Sequence, residues 1–119
     1  MSADFSSSTT STPNGEPPLS LRVTQTGAVT VLELDGDLDV STTGLLLDVV
    51  SGLRRDHPAL VLVLDLSRLR FFGADGLRAF LHLRDLVPHL TLRDPSPFVR
   101  RVMSVTDTLE RFDVQARQS

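Results

Sequence analysis

From Leu19 the chain alternates: Leu19, Leu21 and Val23 stand against Ser20, Arg22 and Thr24, the period of a strand with one buried face. Thr26 and Gly27 predict a turn, and Ala28 to Leu34 (AVTVLEL) predicts a second strand, paired back on the first as a hairpin. It ends at Asp35-Gly36-Asp37-Leu38-Asp39. The period then changes. Leu46, Val49, Val50 and Leu53 recur at i, i+3, i+4 and i+7, which predicts a helix, with capping hydroxyls available from Ser41, Thr42 and Thr43 and a stop near His57-Pro58. Leu60 to Leu66 (LVLVLDL) is apolar except for Asp65, too short for a free-standing helix and suited to a strand buried on both faces.

Ser67 to Phe72 is expected to carry the chain across the sheet edge into a tight corner, Gly73-Ala74-Asp75-Gly76. A second helix then begins near Leu77, with Leu77, Phe80 and Leu81 on one face and Pro88 ending it. Asp75 is placed to cap its first turn, and Gly73 and Gly76 permit close approach of another backbone. Two readings of this corner stay open, a plain connection and a contact point for a partner. Leu90 to Leu92 predicts a short strand. Asp94-Pro95-Ser96-Pro97 predicts a helix start with Ser96 as cap, Val99, Val102 and Met103 inward, and Arg100 and Arg101 toward water. Leu109, Phe112 and Val114 should pack a last segment on the sheet. This order predicts an α/β domain: an open, mostly parallel but mixed sheet of about four to five strands, with an N-terminal hairpin and about three packed helices.

Length and charge narrow the class. The 119 residues, 40% of them hydrophobic, suffice for one core, and the domain is expected to span residues 19–114. Residues 1–18, rich in Ser, Thr, Pro and Gly with a single Phe5, are expected to be disordered, and residues 115–119 to fray. A net charge of −3, with arginines scattered rather than clustered, argues against nucleic acid. The absence of cysteine excludes disulfides and thiolate chemistry. No apolar run is long enough for a bilayer and no secretory pattern opens the chain, so a soluble cytoplasmic protein without a membrane partner is expected.

Reactive constellations are thin. His57, His82 and His89 have neither metal-site nor triad spacing. Asp35, Asp37 and Asp39 imitate the start of a calcium loop, but Val40 takes the position that needs Gly, and Leu46 the one that needs Glu. Neither GxxxxGK[ST] nor GxGxxG occurs. A non-enzymatic binding protein is expected, with no catalytic residues, metal or cofactor.

Several short stretches, taken in order, resemble the STAS domain family and within it the bacterial anti-sigma factor antagonists. Leu34 to Asp39 is similar to the family's G-[ED]-L-D turn, and Val63-Leu64-Asp65-Leu66-Ser67 to its V-x-D-L-S strand. Phe71 to Leu77 is similar to the F-[LM]-D-S-[ST]-G-L signature, and Pro95-Ser96-Pro97 with Val99-Arg100-Arg101-Val102 to the last helix start. The resemblance implies a STAS-like fold that sequesters an anti-sigma factor, usually one with a kinase-like ATPase fold, and so frees a sigma factor for transcription.

In that family the partner phosphorylates the serine after the signature aspartate. Here Gly73 stands in the aspartate's place, Ala74 in the phosphoacceptor's, and Asp75 where the second hydroxyl belongs. Binding without phosphorylation control at this corner is therefore expected, with Asp75 as a fixed phosphate mimic the alternative. The expected partner surface comprises Asp37, Asp39, Ser41, Thr42, Gly73, Ala74, Asp75, Gly76 and Arg78. Self-association is left open. The alternative function is a STAS scaffold or ligand-sensing subunit of a stressosome-like or transporter-associated assembly.

Overall fold

The computed structural model describes residues 18–115. Strand β1 (Leu19–Thr26) turns at Gly27 into β2 (Val29–Leu38), and the two pair antiparallel, Leu19 opposite Gly36 and Thr26 opposite Val29. Helix α1 (Thr43–Asp56) crosses to β3 (Val61–Phe72), which lies parallel to β2. Helix α2 (Ala74–Leu86) leads to β4 (His89–Arg93), and α3 (Pro97–Val105), followed by a 3-10 turn at Leu109–Arg111, leads to β5 (Asp113–Gln115). The five strands stand in sequence order, with every pair after the hairpin parallel. The α/β mixed sheet with an N-terminal hairpin and three helices is thus as the residue pattern predicts.

One core accounts for the arrangement. The inward row of β2 and β3, Leu32, Leu34, Leu62, Leu64 and Leu66, is fully buried and clusters with Leu46 and Val50 of α1, Phe80 and Leu83 of α2, and Val99 and Met103 of α3. Burial of side chains of this size is worth about 1.5–3 kcal/mol each. The anticipated inner faces of α1 and α3 are correct, and Arg54 of α1 ties the two long helices together by donating its Nε–H to the Leu86 carbonyl at 3.0 Å. Among the described residues no helix is long and apolar enough to cross a membrane.

Three expectations need correction. Ser67 to Phe72 is not an edge crossing but the second half of β3. Its alternation is broken twice, because β3 carries one extra residue between the Glu33 and Asp35 pairings and another between those of Gly36 and Asp37. Such bulges shift which side chains face inward. Each break is patched by a side chain: the Asp65 carboxylate accepts the Ser67 N–H at 3.0 Å, and the Ser96 hydroxyl donates to the Leu69 carbonyl at 2.8 Å.

The second correction concerns α2, which starts at Ala74 rather than Leu77, so the small-residue corner is its first turn. Its buried face is Gly76, Ala79, Phe80 and Leu83, with Leu77 and Leu81 at the margin. Third, none of the anticipated capping side chains caps. Ser96 is spent on Leu69, the Thr42 hydroxyl serves the loop before α1, and Asp75 lies inside α2 rather than before it. The disordered leader and frayed end concern mainly residues 1–17 and 116–119, which lie outside the described residues. Pro18 and Gln115 belong to the fold, Pro18 by accepting the Asp37 N–H at 2.8 Å and Gln115 as the end of β5.

Candidate functional site

The sheet brings the two singled-out stretches to one of its ends. Asp37 pairs with Phe71 and Leu38 with Phe72, so the loop after β2 and the start of α2 leave from adjacent strand ends. Gly76 closes the contact. A Cβ there would stand 2.9 Å from the Phe72 Cβ and 3.0 Å from the Leu38 carbonyl oxygen, so only glycine lets α2 lie this close to β2.

The loop before α1 is built by its own polar groups. The Asp39 carboxylate accepts the Ser41 N–H at 2.9 Å and the Ser41 hydroxyl at 2.7 Å, while the Asp39 N–H donates to the Thr42 hydroxyl at 2.9 Å. That hydroxyl in turn donates to the Asp37 carbonyl at 2.9 Å. The Ser41 hydroxyl, against a smaller opposing effect of burial and with help from the Ser41 and Thr42 backbone and the Thr42 hydroxyl, holds the Asp39 carboxyl below the usual range. Asp39 is therefore the loop's organiser as much as a surface charge. Thr42, only 3% exposed, shapes the surface without presenting its hydroxyl.

At the other half of the site, Gly73 is the N-cap of α2 and Ala74 its first residue, exposed and without a hydroxyl. Asp75 pairs with Arg78 at 3.3 Å on the outer face, an exposed contact of small energetic weight. The expected surface residues thus fall into two groups. Asp37, Asp39, Ser41, Gly73, Ala74, Asp75 and Arg78 reach the surface, whereas Thr42 and Gly76 lie beneath it. Among the described residues there is no cluster of His, Asp and Glu that could hold a metal.

Two aromatic residues outside the expected partner surface join this end of the sheet. Phe71 and Phe98 are 45% and 42% exposed and stack with ring centroids 5.7 Å apart. The available signal was the Phe71-Phe72 pair itself: in a strand, neighbouring side chains point to opposite faces, so one ring had to turn outward.

Gly73 offers a direct check on the geometry. Its φ of −109° suits any residue, and the nearest obstacle to a Cβ is the Phe71 ring at 3.8 Å. Gly73→Asp is expected to cap α2 and stabilise the fold by about 0.5–1 kcal/mol. Thermal unfolding should register this as a midpoint about 2–8 °C higher. An unchanged or lower midpoint would contradict the described cap position.

A parallel sheet extended by an N-terminal hairpin, with a helix start exposed beside the β2 end, defines the STAS fold. The family model described as Mlab, STAS domain, matches residues 21–110, and the chain belongs to this family. Among solved structures it is similar to an anti-sigma factor antagonist from Mycobacterium paratuberculosis, at 23% identity and a TM-score of 0.75 over 89% of this chain and 90% of the other. An anti-sigma-factor antagonist (STAS) domain protein from Planctomyces limnophilus matches at 18% identity and a TM-score of 0.72, over 82% and 91% of the two chains. The phosphorylated form of the Bacillus protein SpoIIAA matches at 18% identity and a TM-score of 0.63, over 84% and 93%. No curated protein matches the chain.

Proposed function

We propose that this protein is an anti-sigma factor antagonist that sequesters a partner of kinase-like ATPase fold in the cytoplasm, through the start of α2 and the loop after β2. The observation that carries the reading is Ala74, exposed at the first position of α2, with β2 ending alongside at Asp37 and Leu38, opposite Phe71 and Phe72, and Asp39 following in the loop. Similarity in fold to proteins described as antagonists supports the partner class. A methyl group cannot take phosphate, so docking here is not switched off by modification at this position. Asp75 is a poor phosphate mimic, since its single charge is already shared with Arg78.

Isothermal titration against the anti-sigma factors encoded in the same genome tests this directly. Ala74→Arg, which places bulk and charge at the centre of the surface without touching the core, is expected to weaken binding at least about tenfold, or 1.4 kcal/mol. Its unfolding midpoint should stay at the original value. Ala74→Ser is expected to gain one phosphate by intact mass when incubated with ATP and the partner, whereas the unaltered chain gains none at Gly73 to Gly76. Normal binding by Ala74→Arg would place the surface elsewhere. A helix start without a hydroxyl at Ala74 also suits a permanent subunit of a larger assembly, and that reading prevails if the chain co-purifies with such an assembly and no anti-sigma factor binds it.

A further inference from the structure

The Phe71–Phe98 pair leaves two aromatic faces in water at the margin of the candidate surface, with the exposed Arg70 next to Phe71 in the chain. Exposed aromatic area of this kind gains by being covered. The fold shows which chain is nearest. Pro18, the first described residue, accepts the Asp37 N–H at 2.8 Å, and Asp37 is the register partner of Phe71, so Pro18 stands two strands away, roughly 10 Å from the Phe71 backbone. Gly36, with φ of 127°, lets Pro18 sit there, because a Cβ on Gly36 would collide with the Pro18 carbonyl.

We infer that residues 1–17 supply the cover, with Phe5 packing on the Phe71–Phe98 pair of its own chain and competing there with a partner. Length permits it. Twelve residues lie between Phe5 and Pro18, a span of about 45 Å drawn out and about 20 Å as a flexible chain. Both exceed the gap. Composition favours Phe5 as the anchor, because it is the only aromatic residue in a segment otherwise made mostly of Ser, Thr, Pro and small residues. Charge agrees as well: Asp4 precedes Phe5, and Arg70, whose nearest carboxylate lies 4.0 Å away at Asp37, precedes Phe71. Tethering makes the contact intramolecular, so a weak contact competes at a high effective concentration. The competition rests on the proposed function; the docking does not.

The chain contains neither Trp nor Tyr, so Phe5→Trp installs a single fluorophore in the full-length protein. Its emission is expected to lie to the blue of the same chain in denaturant, with acrylamide quenching reduced about twofold or more. Adding Phe98→Ser should return both to the solvent-exposed values while circular dichroism stays native. Emission already at the denatured position, or indifferent to Phe98→Ser, would overturn the docking. A blue shift lost on hundredfold dilution would assign the cover to a second copy and overturn it too.

A partner titration then separates the two proposals. Phe5→Ser should bind the anti-sigma factor about three- to tenfold more tightly, the gain expected when a surface free only a third to a tenth of the time becomes fully free. Unchanged affinity alongside a blue-shifted Phe5→Trp would overturn the competition. If no variant binds any anti-sigma factor, the functional reading fails while the fluorescence still decides the docking.

Discussion

Gly76→Val is expected to destabilise the domain by about 2–3 kcal/mol, against a total stability of about 5–15 kcal/mol for a fold of this size. The first added carbon already meets the Phe72 Cβ at 2.9 Å and the Leu38 carbonyl at 3.0 Å, and neither is the free end of a flexible side chain. The branches of valine widen the conflict. Relief requires α2 to lift from β2, which also loosens Phe80, tilted against Phe72 with ring centroids 5.4 Å apart. Thermal unfolding should show a midpoint about 10–20 °C lower. Gly76→Ala should suffer less, because its helix propensity returns about 0.8–1 kcal/mol. A Gly76→Val protein as stable as the original would refute the close approach. The same clash makes Gly76 a poor probe of partner binding: bulk there damages the frame before it reaches the surface, and Ala74 is the residue to alter instead.

Removing Arg93 is expected to cost about as much by a different route. Asp65 lies under the sheet surface with its side chain 6% exposed, and its Oδ2 accepts from Arg93 Nη2 at 2.9 Å. Its other oxygen accepts both the Ser67 N–H and the Ser67 hydroxyl, the latter at 2.7 Å. Arg93→Ala leaves that carboxylate half satisfied, at a cost of about 2–3 kcal/mol once the partial exposure of the arginine is allowed for. Replacing both partners by apolar residues, often harmless for a buried pair, should not rescue the fold, since Ser67 would lose the acceptor that steadies the first bulge.

Acid titration supplies the sign. Burial raises the Asp65 carboxyl, but the Ser67 backbone and hydroxyl together with Arg93 outweigh it, and the group sits below the ordinary range. Its stabilising contribution is therefore complete above the unfolded value of about 3.9 and is lost as pH falls through the lower folded value. Without Arg93 the folded value rises, so Arg93→Ala should unfold in acid at a higher pH than the original chain. Coincident acid transitions would mean the pair contributes nothing.

The regular elements were legible because each obeys a local rule. The alternation of β1, the i, i+3, i+4 repeat of α1, the stop at Pro88 and the Ser96-Pro97 start all depend on neighbours within a turn. The second half of β3 was not legible, because the bulges that break its alternation are defined by pairing with β2, not by its own residues. The caps failed for a related reason: Ser96 and Thr42 have local uses, but Leu69 and Asp37 compete for their hydroxyls and prevail. Nothing near Asp65 announces Arg93, 28 residues away. At the candidate site, Asp37 to Ser41 and Gly73 to Arg78 were singled out from their motifs, and the sheet register shows that the two stretches leave the same end of the sheet. The exposed aromatic pair was missed because Phe98 becomes a neighbour of Phe71 only after α3 is placed.

The paired bulges of β3 also govern how this strand tolerates changes in length. Each one reverses the in-and-out phase, so two together return Phe72 to the interior and leave Phe71 facing outward. Deleting one of the extra residues would remove its bulge and the phase reversal together, leaving Phe72 opposite Leu38 inside and Phe71 opposite Asp37 outside. A residue lost from the regular pairing between Val61 and Asp65 has no such slack and would turn the leucines there out of the core. Lineages of this chain should therefore vary in length at the bulges and not within the first half of the strand.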